Sequence, residues 1–140
     1  MSVRLDAQSL VPGRCEAPVL VLTEPLSFWG GVDPASGRVI DRQHPQHGAC
    51  IAAKVLVLPG IRGSTAAPGA LLELLARGSG PAALLTARFE VVPLVTVLTS
   101  ELLAVAPKPV AVLNEALQLL PFGTGDRIRV EGEAWWLDPA

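Results

Sequence analysis

A run of strand-forming residues that leads directly into a glycine-rich loop is the feature of this chain that most constrains its fold. The run Lys54-Val55-Leu56-Val57-Leu58 precedes the loop Pro59-Gly60-Ile61-Arg62-Gly63-Ser64-Thr65, and the leucine-rich segment Leu71–Leu75 follows. A strand, a loop and a helix in this order direct backbone N–H groups at the loop, where they favour a small anionic ligand. The sequence therefore predicts an α/β unit in which Ser64 is the leading candidate for a functional side chain.

The length and hydrophobicity of the chain predict one domain, residues 1–140, that needs a partner chain. Half of the 140 residues are hydrophobic, and the mean hydropathy is +0.44. No apolar run reaches the roughly 18 residues that a membrane helix requires. A small domain cannot hide so much apolar surface in its own interior, so a subunit interface is expected and a membrane partner is not.

Charge and cysteine content narrow the function further. The net charge is −2 with the two signs mixed along the chain, a pattern that argues against binding to nucleic acid. Cys15 and Cys50 are too few for a disulfide framework and too far apart for a Cys-x-x-Cys site, so reduced thiols and no metal are expected. The N-terminal residues do not resemble an export signal, which predicts a cytoplasmic protein.

Short elements separated by Gly and Pro predict a layered, mixed α/β fold with its helices on one face. Periodicity predicts a helix through Leu71–Leu75, stopped by Gly78, and a short second helix over Ala116–Leu120. The apolar runs Val91–Leu98 and Val110–Leu113 flank a Pro-Lys-Pro segment. Strands are predicted at Pro18–Thr23, Ile51–Leu58, Ala82–Thr86, Asp126–Glu131 and Trp135–Leu137.

A long irregular segment, Trp29 to Gly48, contains side chains of metal-ligand type. Asp33, Asp41, His44 and His47 invite a zinc or calcium hypothesis, but a His-x-x-His pair in a proline-containing loop supplies too few ligands in poor geometry. The favoured interpretation is that Asp33-Pro34 and His44-Pro45 begin turns. Loops of this length in a compact domain are usually functional.

Two interpretations of Ser64 remain open on local sequence. A serine ahead of a helix is an ordinary N-cap. A functional role is favoured by its neighbours, because Gly60 and Gly63 permit close backbone approach and Arg62 provides a fixed positive charge for a carboxylate or phosphate. No Gly-x-Ser-x-Gly elbow or Gly-Lys-Ser/Thr ending is present, so hydrolase and nucleotide-binding functions are not indicated.

A wider set of motifs resembles the swivel domain, or small subunit, of the aconitase X family. The resemblance is dense from Pro25 to about Leu75 and weaker through Pro81–Ala83 and Pro109–Val112. Its most specific parts are Trp29-Gly30-Gly31-Val32-Asp33-Pro34 and Arg62-Gly63-Ser64, with Gly37-x-Val39-Ile40-Asp41 and His44-Pro45 between them. The resemblance implies a swivelling β/β/α three-layer domain.

The same resemblance implies a hydro-lyase subunit that is inactive without a large catalytic subunit of the aconitase X type. Ser64 matches the serine that removes a carbon-bound proton, and Arg62, Gly63 and Thr65 are expected to line the substrate. The substrate is a small hydroxy acid, with cis-3-hydroxy-L-proline favoured and 5-phosphomevalonate as the alternative. The site loop or subunit interface is expected to include Trp29, Gly30, Gly31, Asp33 and His44.

The chemistry implied by the resemblance requires a second chain. An iron–sulfur cluster is normally held by three or four thiolates, so two cysteines imply no cofactor in this chain and a cluster in the large subunit. The chain departs from the serine-rich loop of the family at Thr65 and Ala66, which leaves the substrate open. The alternative function is a non-catalytic swivelling domain that binds a ligand or partner protein in a regulatory role.

Overall fold

The computed structural model describes residues 1–63 and 66–139, and its strands form one curled sheet beside a small two-stranded pair. The order in the large sheet is β1-β10-β9-β3-β5-β7-β8-β2, and β4 pairs with β6. In chain order the elements are β1 (Val3–Arg4), β2 (Ala7–Val11), β3 (Gly13–Val21), β4 (Leu26–Ser27), α1 (Phe28–Gly31), β5 (Val55–Leu58), β6 (Ile61–Arg62), α2 (Ala67–Arg77), β7 (Ala83–Thr86), α3 (Val91–Leu102), β8 (Val110–Leu113), a 3-10 turn (Leu117–Leu119), β9 (Arg127–Gly132) and β10 (Ala134–Asp138).

Four parallel strands, β3, β5, β7 and β8, form the centre of the sheet. Every residue of β5 and β7 is buried, as expected for parallel strands that are covered on both faces. Because side chains alternate along a strand, Leu56 and Leu58 belong to the core beneath the helices, whereas Val55 and Val57 belong to a second core on the opposite face. The sheet is thus the middle of three layers.

Strand β3 joins the central sheet to the outer β layer. Its residues Gly13–Pro18 pair antiparallel with β9, whereas Val19–Val21 pair parallel with β5. Strands β9, β10 and β1 continue the outer layer by antiparallel pairing, and Trp135 is buried in the core between the layers. The mixed α/β, three-layer β/β/α architecture expected from the sequence is confirmed.

Both long helices cover the same face of the central sheet. Helix α2 begins at Ala67 with Pro68 in its first turn, and it ends at Gly78, whose positive φ of 76° lets its N–H bond to the carbonyls of Leu74 and Leu75. The predicted stop at Gly78 is confirmed. Helix α3 buries Pro93, Thr96 and Ser100. Its opposite face is apolar and exposed at Val91, Val95, Leu98 and Leu102.

The structure differs from the predicted elements in several places. Strand β5 begins at Val55, because Ile51–Lys54 forms a turn in which Ala53 takes a φ of 57°. In place of the helix predicted over Ala116–Leu120, the structure has a 3-10 turn of three residues, Leu117–Leu119. Strands β1 and β2 were not predicted, and β3 begins five residues before Pro18. In the described ranges, 1–63 and 66–139, no helix combines the length and apolarity needed to cross a bilayer.

The core between the sheet layers predicts a large cost for truncating β7. Leu85 is fully buried, so Leu85→Ala should lower the free energy of unfolding by about 2–5 kcal/mol through lost burial and a residual cavity. Leu119, which is 70% exposed, provides the matched control, and Leu119→Ala should change stability by less than about 0.5 kcal/mol. Urea denaturation followed by circular dichroism measures both, and equal effects would contradict the layer assignment.

Candidate functional site

The candidate site lies at the carboxyl edge of the central sheet, where the parallel strands end. The segments after β3, β5, β7 and β8 all leave the sheet at this edge. They enclose an open cleft of about 530 Å³ that is lined by Val21, Leu22, Thr23, Pro59, Ala87, Ala116, Leu117 and Gln118. Open parallel sheets bind their ligands outside the carboxyl ends of their strands. The glycine-rich loop follows β5 at this edge.

The loop after β5 is held by a two-stranded pairing with the segment after β3. Strand β4 lies parallel to β6, with Ser27 opposite Arg62. Because the two strands are parallel, the α1 turn and Gly63 leave the pair at the same end. Arg62 and Gly63 are both exposed. A Cβ on Gly63 would lie 2.7 Å from the Cβ of Ala67, so only glycine fits against the start of α2.

Two of the predicted site residues, Ser64 and Thr65, lie outside the described residues. The N-cap position of α2 is Ala66. The structure does bring Arg62 and Gly63 beside the α1 turn, which contains Trp29, Gly30 and Gly31.

Two residues of the loop after β7, Arg88 and Glu90, contact the glycine-rich loop and were not predicted from the sequence. The Glu90 Oε1 accepts a hydrogen bond from the Ile61 N–H at 3.0 Å and another from Arg88 Nε at 2.7 Å. The Arg88 guanidinium lies against Gly60, since a Cβ at that glycine would be 2.4 Å from Arg88 Nε. The sequence does contain a signal for these two residues. Arg88-Phe89-Glu90 follows a predicted strand, and the carboxyl end of that strand lies beside the carboxyl end of β5.

The α1 turn exposes an aromatic side chain next to α2. Trp29 is 65% exposed, and the adjoining Gly30 adopts a φ of 81°. A cleft of about 220 Å³ lies between this turn and helix α2, lined in part by Trp29, Ile40 and Glu73. Exposed tryptophan beside a cleft is typical of binding surfaces. Gly31 is buried, and its carbonyl accepts the Ile40 N–H at 2.9 Å.

Asp33 forms a turn away from the glycine-rich loop. Its carboxylate accepts the Ala35 N–H at 3.0 Å and the Ser36 hydroxyl at 2.9 Å. The Ala35 N–H, followed by the Ser36 hydroxyl, holds the pKa of the Asp33 carboxyl below its usual value. The turn interpretation of Asp33-Pro34 agrees with these contacts. Ser79, just beyond α2, donates to the Pro34 carbonyl at 2.6 Å, so this turn sits near the far end of that helix.

His44 is buried and ties together two parts of the chain. Its Nδ1 accepts the Gln46 N–H at 3.0 Å, and its Nε2 lies 3.2 Å from the Glu24 carbonyl oxygen. The Gln46 N–H can only donate, so Nδ1 accepts, which leaves Nε2 to face the Glu24 carbonyl oxygen. His44 therefore anchors the irregular loop to the segment after β3, whereas His47 is exposed.

No set of three or more His, Cys, Asp or Glu side chains in residues 1–63 and 66–139 is arranged to hold a metal ion. Cys15 lies on β3, where burial raises the pKa of its thiol, and Cys50 directs its Sγ at the Ser36 carbonyl oxygen at 3.4 Å. Two thiols, one on a sheet strand and one at an isolated β-bridge with Arg38, do not form the thiolate set that an iron–sulfur cluster requires. The described residues therefore do not fit such a cluster.

The family of the chain follows from comparison with known proteins. A family model described as the aconitase X swivel domain matches residues 4–137, and the chain belongs to this family. The structure superposes on the crystal structure of Thermococcus kodakaraensis aconitase X in its holo-form with a TM-score of 0.78 and 30% sequence identity. That superposition covers 97% of this chain and 99% of the other.

Curated relatives carry two different enzyme names. The phosphomevalonate dehydratase small subunit of Methanothermobacter thermautotrophicus is 46% identical over 83 residues, which are 59% of this chain and 63% of that protein. The cis-3-hydroxy-L-proline dehydratase of Hypocrea jecorina is 41% identical over 103 residues, which are 74% of this chain and 17% of that protein. The chain thus spans less than two thirds of each of these relatives.

The hydrogen bonds of Asp33 predict a pH-dependent contribution to stability. A lowered pKa in the folded state means that the carboxylate stabilises the fold fully above its ordinary value of 3.8, and that this contribution is lost as the pH falls through the folded pKa. Asp33→Asn should therefore lower the melting temperature at neutral pH, and this deficit should shrink as the pH falls below 3.8. Thermal unfolding at a series of pH values from neutral downward tests this, and a deficit that stays constant below 3.8 would contradict it.

Proposed function

We propose that this chain is the small, swivelling subunit of an aconitase X-type hydro-lyase, and that Ser64 supplies the base. The observation that carries the proposal is the family match over residues 4–137, combined with a glycine-rich loop held at the carboxyl edge of the sheet. Relatives named as dehydratases or dehydratase subunits support the reaction class.

The proposed reaction removes a proton from carbon and a hydroxide from the neighbouring carbon. A serine hydroxyl is a poor base in water, so its alkoxide must be stabilised by nearby N–H groups and a cation. Gly63 allows a close backbone approach, and Arg62 offers an exposed positive charge immediately before it. In the proposal these residues, together with Thr65, bind the substrate and stabilise the deprotonated serine.

The proposal assigns an iron–sulfur cluster and the rest of the active site to a large subunit. The two cysteines of this chain do not form a cluster site, so no step of the reaction is assigned to such a group here. The need for a partner is supported by exposed apolar side chains: Trp29 is 65% exposed, Leu98 66% and Leu102 86%. Side chains of this kind are normally covered by another surface.

The proposed substrate is a small hydroxy acid, with two candidates to test. We propose cis-3-hydroxy-L-proline first and 5-phosphomevalonate second, and relatives carrying each name support both. Each compound carries a carboxylate, which suits the exposed Arg62 at the loop.

Ser64→Ala should abolish turnover of whichever compound the complex accepts. With a co-expressed aconitase X-type large subunit, we expect kcat to fall by about 10²- to 10⁴-fold, the usual contribution of a general base. Ser2→Ala, which removes a hydroxyl bonded to Asp138 in the outer layer, should leave kcat unchanged. Product formation by a complex of unaltered stoichiometry is the measurement.

A Ser64→Ala complex that assembles and retains near-wild-type kcat would overturn the base assignment. A complex that assembles but acts on neither compound would favour the non-catalytic, regulatory function instead.

A further inference from the structure

The backbone of Arg88 is fixed at the carboxyl edge of the sheet, beside the glycine-rich loop. The Ala87 N–H donates to the Leu58 carbonyl at 3.1 Å, which joins the ends of β7 and β5. The Thr86 hydroxyl donates to the Arg88 carbonyl at 2.7 Å. These bonds hold Arg88 next to Gly60, two residues before Arg62.

Among the described residues, the Arg88 guanidinium has a hydrogen-bond partner only at its Nε edge. Glu90 engages its Nε at 2.7 Å, and the Glu90 side chain is just 13% exposed. The Arg88 side chain is 61% exposed, and its terminal nitrogens have no other hydrogen-bond partner in the part of the chain that the structure describes. The absence of a side chain at Gly60 makes room for this guanidinium. An arginine held through Nε presents its two terminal nitrogens as a fork.

We propose that Arg88 binds an anionic group of the substrate, a carboxylate or a phosphate, beside Gly60 of the glycine-rich loop. The inference rests on the proposed function and adds a second cation to Arg62. The fork of Arg88 matches two oxygens of either anion.

A purely structural role explains these contacts less well. Glu90 already bonds to the Ile61 N–H by itself, so the loop does not need Arg88 for that bond. An exposed ion pair contributes little to stability. An exposed guanidinium that is held in one orientation is instead suited to binding a ligand.

The test uses the co-expressed complex with the variants Arg88→Gln and Arg88→Lys. Arg77→Gln is the matched control, because Arg77 also pairs with a glutamate, Glu73, and has similar exposure. Arg77 lies at the end of α2, ten residues or roughly 15 Å from the start of that helix, where the glycine-rich loop ends. For each variant we measure kcat and KM with each compound. Calorimetry then measures the Kd of each compound for the non-reacting Ser64→Ala complex, with and without the additional substitution Arg88→Gln.

We expect Arg88→Gln to raise KM and Kd at least tenfold while kcat changes less than threefold, and Arg88→Lys to recover part of the binding. If the Ser64→Ala complex binds both compounds, an effect confined to 5-phosphomevalonate identifies a phosphate site, and an effect on both identifies a carboxylate site. Arg77→Gln should match wild type in every measurement.

Unchanged KM and Kd in Arg88→Gln, or a fall in kcat alone, would overturn the assignment of Arg88 while leaving Ser64 as the base. A wild-type complex that binds neither compound would overturn the proposed function and this inference together. A Ser64→Ala complex with full activity refutes only the base, because the KM of Arg88→Gln can then be measured directly.

Discussion

Burial of the central parallel strands on both faces is the constraint on which the rest of the structure depends. Val55 to Leu58 contribute alternate side chains to two separate cores, so β5 must be sandwiched between the helices and the outer β layer. Parallel strands then deliver their carboxyl ends to one edge, where backbone groups of the following loops are free to meet a ligand. The location of the candidate site is thus a consequence of core packing.

The loops at this edge support one another. Glu90, on the loop after β7, bonds to the backbone of the loop after β5, and β4 pairs with β6 to bring the α1 turn alongside. Gly60 and Gly63 are the points of closest approach, one against a guanidinium and the other against the first residue of α2. Gly60 therefore marks close packing between segments that are distant in sequence, whereas Gly63 marks a close approach of the loop to the start of α2.

The sequence predicted those elements whose signals are local. Strand β7 and the end of α2 at Gly78 follow from composition and glycine placement, and the family motif selected Arg62 and Gly63. Helix α3 was not assigned because its exposed face is apolar while its buried face includes the hydroxyl residues Thr96 and Ser100, which removes the periodicity of an amphipathic helix. Arg88 was missed because its role depends on contacts with residues nearly thirty positions earlier.

Strand β3 pairs with β5 in the central sheet and with β9 in the outer layer, and this division affects the order in which the chain can fold. Gly13 pairs with Gly132, and Ala7 on the neighbouring strand pairs with Leu113. During synthesis, β2 and the Gly13–Pro18 part of β3 stay unpaired until β8 and β9 have left the ribosome. Closure over such long separations is slow and leaves strand edges open to wrong partners. Early capture by a companion chain or a chaperone would shorten that exposed interval.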